Sequence, residues 1–212
     1  MIKGINIFLL FMTVALTTFA GEEGTVVANI NKGSPIPGNN NVVMPVVTEK
    51  YEYYEVCGCC DKDLQCDLKQ KCITWTDGKK YDSVTNWKVK WDYSHRRTAQ
   101  ACTTDSFLAT VDVVFHLPKW VKTDKAPQPL VEKWDRYLKK LMEHEKGHRD
   151  RAVDAATELM HAVAELPPAR TCAGLDREVN TLCRTRMNKL IEEQKEYDAA
   201  TNHGIAQGAV FP

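Results

Sequence analysis

Residues 141–150 read LMEHEKGHRD. Two histidines, His144 and His148, stand four residues apart, with Glu145 next to the first. Four residues of α-helix make about 400° of rotation, so both rings leave one face, a turn apart. Two ring nitrogens so placed can each reach one zinc ion at about 2.0–2.1 Å. Glu145 sits about 100° round the helix, near a water on that ion without being forced into coordination. This is the mechanical content of the H-E-x-x-H pattern.

The flanking residues continue the helix. Over 129–166, Trp134, Leu138, Leu141, Ala152, Ala155, Leu159, Val163 and Leu166 recur at threes and fours, an inward stripe closed by Pro167-Pro168. Extended in register from Leu141, the next inward positions are Glu145 and His148. Ionisable groups on a buried face are costly unless paired or bound to metal. Zinc supplies a reason for them, and a satisfied Glu–His or Glu–Arg pair would supply another. Gly147 costs a helix interior about 1 kcal/mol relative to alanine. That fits either a close approach to the backbone or an exposed position that tolerates it.

A second helix is predicted over 175–201, with Leu175, Val179, Leu182, Leu190 and Ile191 on its apolar side. Asn202 or Gly204 can take the left-handed conformation that ends it. A catalytic zinc takes three protein ligands and keeps one position open. Asp154, six residues past His148, lies about 240° away on a continuing helix and is rejected. His203 follows a helix end and can turn towards a neighbour, although a histidine there also answers the helix dipole. Asp198 is the carboxylate alternative, either as ligand or as the partner that orients His203. His116 and His95 stay open, and His161 reads as structural. Tyr197 is placed to hydrogen-bond a developing oxyanion.

Upstream the period changes. In TNWKVKWDY (85–93), Trp87, Val89 and Trp91 alternate with Lys88, Lys90 and Asp92. In TVDVVFHLP (110–118), Val111, Val113, Phe115 and Leu117 share one face, and Asp112, Val114 and His116 the other. Both are half-buried strands that a short connection allows to pair antiparallel, with Pro118 ending the second. A small antiparallel sheet followed by two long helices is an α+β fold.

The N-terminal part is different. Residues 1–20 carry Lys3, an apolar run and small residues before a cleavage point after Ala20, the pattern of a secretory signal peptide. Residues 21–48 read as an extended lead-in rich in Gly, Pro and Asn. Residues 49–80 form a polar, loop-rich patch. It holds five of the chain's eight cysteines, Cys57, Cys59, Cys60, Cys66 and Cys72; the others are Cys102, Cys172 and Cys183. An even cysteine count in an exported chain reads as disulfides, and the patch lacks the paired C-x-x-C knuckles of a zinc site. Equal numbers of basic and acidic residues, 28 each, and no basic stretch exclude a nucleic-acid or anionic-membrane partner.

The pieces TNWKVKW, VDVVFHLPKW, HEKGHRD and YDAATNHGIAQGA resemble the predicted secreted zinc-dependent proteases of bacteria. The similarity covers 85–212, and its specific parts are HEKGH and YD-x-x-T-x-H-G-x-x-Q-G. It does not reach the cysteine patch. The resemblance implies a zincin-like domain over 81–212 and a secreted or periplasmic metallopeptidase, and it favours His144, His148 and His203 as zinc ligands. The expected reaction is hydrolysis of a peptide or protein substrate. Zinc lowers the pKa of a bound water towards about 7, and Glu145 acts as general base. The strand over 111–117 is expected to border the cleft and pair with an extended peptide. Two rival readings are a non-catalytic, disulfide-stabilised module with structural zinc, and a zinc hydrolase of a non-protein amide.

Overall fold

The structure, a computed structural model, describes residues 24–26 and 44–211. The expected signal peptide and most of the lead-in lie outside the described residues. In chain order the elements are β1 (Gly24–Val26), β2 (Val46–Val56), α1 (Asp61–Lys71), β3 (Ile73–Thr74), β4 (Lys80–Tyr81), β5 (Val84–Arg97), β6 (Cys102–Trp120), α2 (Gln128–Ala164) and α3 (Cys172–Thr201). A short 3-10 turn, Ile205–Gln207, follows.

The α+β order is the expected one, strands first and long helices after. β5 and β6 form an antiparallel hairpin closed by Thr98 and Ala101. Val111, Val113, Phe115 and Leu117 are all buried on the helix side, as period-two alternation predicts. α2 and α3 pack antiparallel over that face, since Arg186 meets Glu158 where Gln194 meets His148. The Thr171 hydroxyl caps α3 by accepting from Gly174 N at 3.1 Å, and left-handed Asn202 ends the helix. Among the described residues no helix is long and apolar enough to cross a membrane.

Three expectations change. First, the sheet is mixed and four-stranded in the order β1-β2-β6-β5, because β2 pairs with β6 in parallel. The strand over 111–117 therefore has neighbours on both sides and cannot pair with a substrate. The outer strand on that side is β5. Second, β6 continues through Pro118 to Trp120. Beyond His116 it has left β5 and is paired on one side only, the setting in which a strand tolerates proline.

Third, the cysteine patch is not a loop-rich disulfide knot. It carries helix α1, with Asp61 and Asp63 in the first turn, Lys69 and Lys71 in the last, and Leu64 and Leu68 buried one turn apart. Its five cysteines are free thiols, as is buried Cys183. The one disulfide among the described residues joins Cys102 to Cys172. It clamps the start of β6 to the start of α3, beside a two-way backbone bridge between Cys102 and Ala169. It closes a 70-residue separation, so Cys102→Ala with Cys172→Ala should lower unfolding free energy by about 2–4 kcal/mol. Urea denaturation checks this, and an unchanged midpoint contradicts it.

Candidate metal centre

The α2 stripe runs through Leu130, Trp134, Tyr137 and Leu141, then His144 and Glu145, then Ala152, Ala155 and Leu159. Glu145 is 2% exposed and His144 4%. A carboxylate and an imidazole do replace leucines inside a buried face, and the fold has to satisfy them.

It does so from α3. His144 Nε2 lies 3.3 Å from His148 Nε2. Asp198 Oδ1 lies 3.4 Å from the first nitrogen and 3.1 Å from the second. The three donors thus make a nearly equilateral triangle. Donors about 2.0–2.1 Å from one tetrahedral ion stand about 3.3–3.4 Å apart, so the set fits a zinc-sized divalent cation without rearrangement. The His144 side is buried, while Asp198 keeps 31% of its side chain exposed, so the triangle opens to solvent along that edge.

The electrostatics agree. Burial opposes the charge of Asp198, but hydrogen bonds from His144 and His148, and the charges of His148 and His203, hold its carboxyl well below the usual range. Burial also opposes charging of His148, and Asp198 outweighs it, so the His148 pKa is raised.

Around the triangle, Tyr197, Thr201, Gly204 and Gln207 of the C-terminal motif all make contacts. The Tyr197 hydroxyl donates to His144 O at 3.2 Å, and its ring stacks on His144 with centroids 5.0 Å apart. Thr201 and Gly204 close the helix end, where a Cβ on Gly204 would stand 3.0 Å from His144 Cγ. Gln207 Oε1 lies 3.0 Å from His144 Nδ1, and Gln194 Oε1 lies 2.6 Å from His148 Nδ1. Gly147 is the close approach: an added Cβ would sit 2.1 Å from the Tyr197 hydroxyl oxygen. Arg151 stacks on the same ring at 3.6 Å and donates to Gly147 O.

Glu145 turns the other way, towards the start of β5. The Ser83 hydroxyl donates to Glu145 Oε1, and the Thr85 hydroxyl donates to Oε2 at 2.5 Å. Its charge is felt at His148. Tyr81, two residues before Ser83, packs its ring 4.8 Å from the His203 ring.

The His144 and His148 rings converge as two histidines four apart on a helix should, while the Glu145 carboxylate is held by Ser83 and Thr85. His203 Nδ1 lies 3.5 Å from Asp198 Oδ1, but His203 stands outside the group whose donors all lie within 4.8 Å of one another. That group is His144, His148 and Asp198, so the carboxylate alternative takes the third corner. Asn202, His203 and Gly204 all have positive φ, and this left-handed run carries the His203 ring to the rim. The Tyr197 hydroxyl, expected at an oxyanion, is engaged with His144 O and Gln207 instead. His116 pairs with Glu52 and Asn86, and His95 with Asp176; the sulfurs near His95 are joined in the disulfide.

Two outcomes follow from this geometry. Gly147→Ala gains about 1 kcal/mol of helix propensity but loses about 1–3 kcal/mol to overpacking, so it should destabilise the protein. In a Tyr197→Ala background the same change should be neutral or stabilising, read by thermal melts. The second concerns pH. Because the His148 pKa is raised, its proton stabilises the metal-free fold below the ordinary histidine value, and that contribution is lost as pH rises through the raised pKa. The same proton competes with a cation. Zinc affinity should therefore fall about tenfold per pH unit below the raised pKa and level off above it, measured by chelator competition.

No curated protein and no solved structure matches this chain. A family model matches residues 51–204, a span that takes in the cysteine-bearing helix as well as both halves of the candidate centre. By that match the chain belongs to the family described as "Bacterial protein of unknown function (DUF922)".

Proposed function

We propose that this protein is a zinc-dependent metallopeptidase, with His144, His148 and Asp198 as metal ligands and Glu145 as general base. The observation that carries the reading is the triangle of donors at 3.1, 3.3 and 3.4 Å, open to solvent along its Asp198 edge. Three protein donors with a solvent-facing edge favour a catalytic over a structural ion, which would be closed by four. When bound, the ion supplies Lewis-acid polarisation of the scissile carbonyl and of the attacking water.

The rest of the chemistry falls to the chain. Glu145 takes the proton of the attacking water and delivers it to the leaving amine. Ser83 and Thr85 hold its two oxygens through donated hydrogen bonds and so fix where the carboxylate points. Tyr197 is a positioning residue, set against both histidine rings. β5 is the sheet's outer strand and begins beside Glu145, so an extended peptide laid along it would carry its backbone past the base. That favours a peptide over a compact amide as substrate. The Cys102–Cys172 disulfide supports work in an oxidising compartment, secreted or periplasmic.

Glu145→Gln should keep zinc while hydrolysis of an unfolded protein substrate falls by about 10²–10⁴. Asp198→Ala should lose zinc by more than the roughly 10–100-fold typical of an outer partner, and His203→Ala should retain it. Elemental analysis with a fluorogenic peptide assay checks all three. Full activity in Glu145→Gln, or zinc retained by Asp198→Ala and lost by His203→Ala, contradicts the assignment.

A further inference from the structure

We propose that Gln194 and Gln207 are positioning residues that select the coordinating nitrogen of each histidine, under instruction from the backbone of α2 itself. This rests on the metal reading above. Both rings turn Nε2 towards the triangle and Nδ1 towards an amide oxygen, Gln194 for His148 and Gln207 for His144. An amide's two ends are nearly alike in shape, so what matters is which end faces the ring.

A backbone carbonyl can only accept, and that settles the matter for both. Gln194 Nε2 donates to His148 O at 2.9 Å, which leaves its Oε1 for His148 Nδ1. The Tyr197 hydroxyl lies 3.2 Å from His144 O and 3.5 Å from Gln207 Oε1; it donates to the nearer carbonyl, and its oxygen accepts from Gln207 Nε2 at 3.2 Å. Gln207 Oε1 then faces His144 Nδ1. Each relay starts on a carbonyl of the HEKGH turn and ends by requiring a hydrogen on Nδ1. Each Nε2 is thereby the nitrogen left to meet a cation.

Amides do this without adding charge. Asp198 remains the only anion among the three donors, so a divalent ion held there keeps net positive charge, which polarising a carbonyl requires. Carboxylates at 194 and 207 would orient the rings as well but would neutralise that charge. Gly147 belongs to the second relay, because only a residue without Cβ leaves room for the Tyr197 hydroxyl.

The test is Zn²⁺ affinity of the full chain by competition with a chromogenic chelator, alongside thermal melts of the metal-free proteins. Gln194→Leu and Gln207→Leu should each weaken zinc about 10–100-fold. Gln207→Glu keeps an acceptor for Nδ1 and should stay within about threefold of wild type. Wild type that binds no zinc defeats the underlying metal reading. Wild type that binds while both leucine variants match it overturns the relay alone, as does Gln207→Glu as weak as Gln207→Leu. Should the leucine variants fail to fold, long-range ¹H–¹⁵N spectra of the zinc-loaded wild type decide. Protonated Nδ1 on both rings is expected, and zinc on Nδ1 of either overturns the proposal.

Discussion

The contact between the HEKGH turn of α2 and the last two turns of α3 is the constraint on which the rest depends. Two antiparallel helices are held against one sheet face by ordinary apolar packing. In the middle of α2 and near the end of α3 that packing gives way to polar groups, His144, Glu145 and His148 on one side and Gln194, Tyr197 and Asp198 on the other. None is tolerable alone, since a buried ionisable group without a partner costs several kcal/mol. Glu145 is satisfied by Ser83 and Thr85, the others satisfy one another, and three of their donors converge within reach of a single ion.

The scaffold serves that contact from both ends. The disulfide and the Cys102–Ala169 bridge fix where α3 begins, and so which of its turns comes level with His148. At the other end, Phe211 is buried and packs edge-on against Trp134 and Tyr137. The chain between Thr201 and Phe211 is thus tied down on both sides of Gln207. The Tyr137 hydroxyl donates to Asp82, next to the Ser83 that holds Glu145. His144, Glu145, His148 and Asp198 therefore sit on the two long helices, braced from outside by Ser83 and Thr85 around the start of β5 and by Gln207 in the closing 3-10 turn.

Much of this was legible in the residues. The broken apolar stripe of α2 located Glu145, although the imidazole buried beside it is His144 and not His148; period-two alternation found the buried face of β6, and Gly147 fits a close approach. What escaped was non-local. β2 pairs with residues 64 positions away, so no turn signal betrays it, and Glu49 interrupts its inner face because Arg149 answers it from α2. Ser83 and Thr85 lie 62 and 60 residues from Glu145, and nothing near them points to a carboxylate. His203, which the resemblance favours, stands outside the His144–His148–Asp198 group because three consecutive left-handed residues swing its ring outwards, a rotation that no spacing rule reveals. Gln194 could have been found. Carrying the stripe of Leu175, Val179 and Leu190 forward lands on Gln194 and then on Tyr197 and Asp198, the same break that marks α2.

The most direct test of this account is zinc K-edge X-ray absorption on the purified protein loaded with one equivalent of zinc. Two imidazole nitrogens at about 2.0–2.1 Å and carboxylate oxygen at about 2.0–2.2 Å, with no sulfur, are the predicted shell. Scattering from sulfur at about 2.3 Å would place the ion on the thiols of the cysteine-bearing segment and contradict a centre built on α2 and α3.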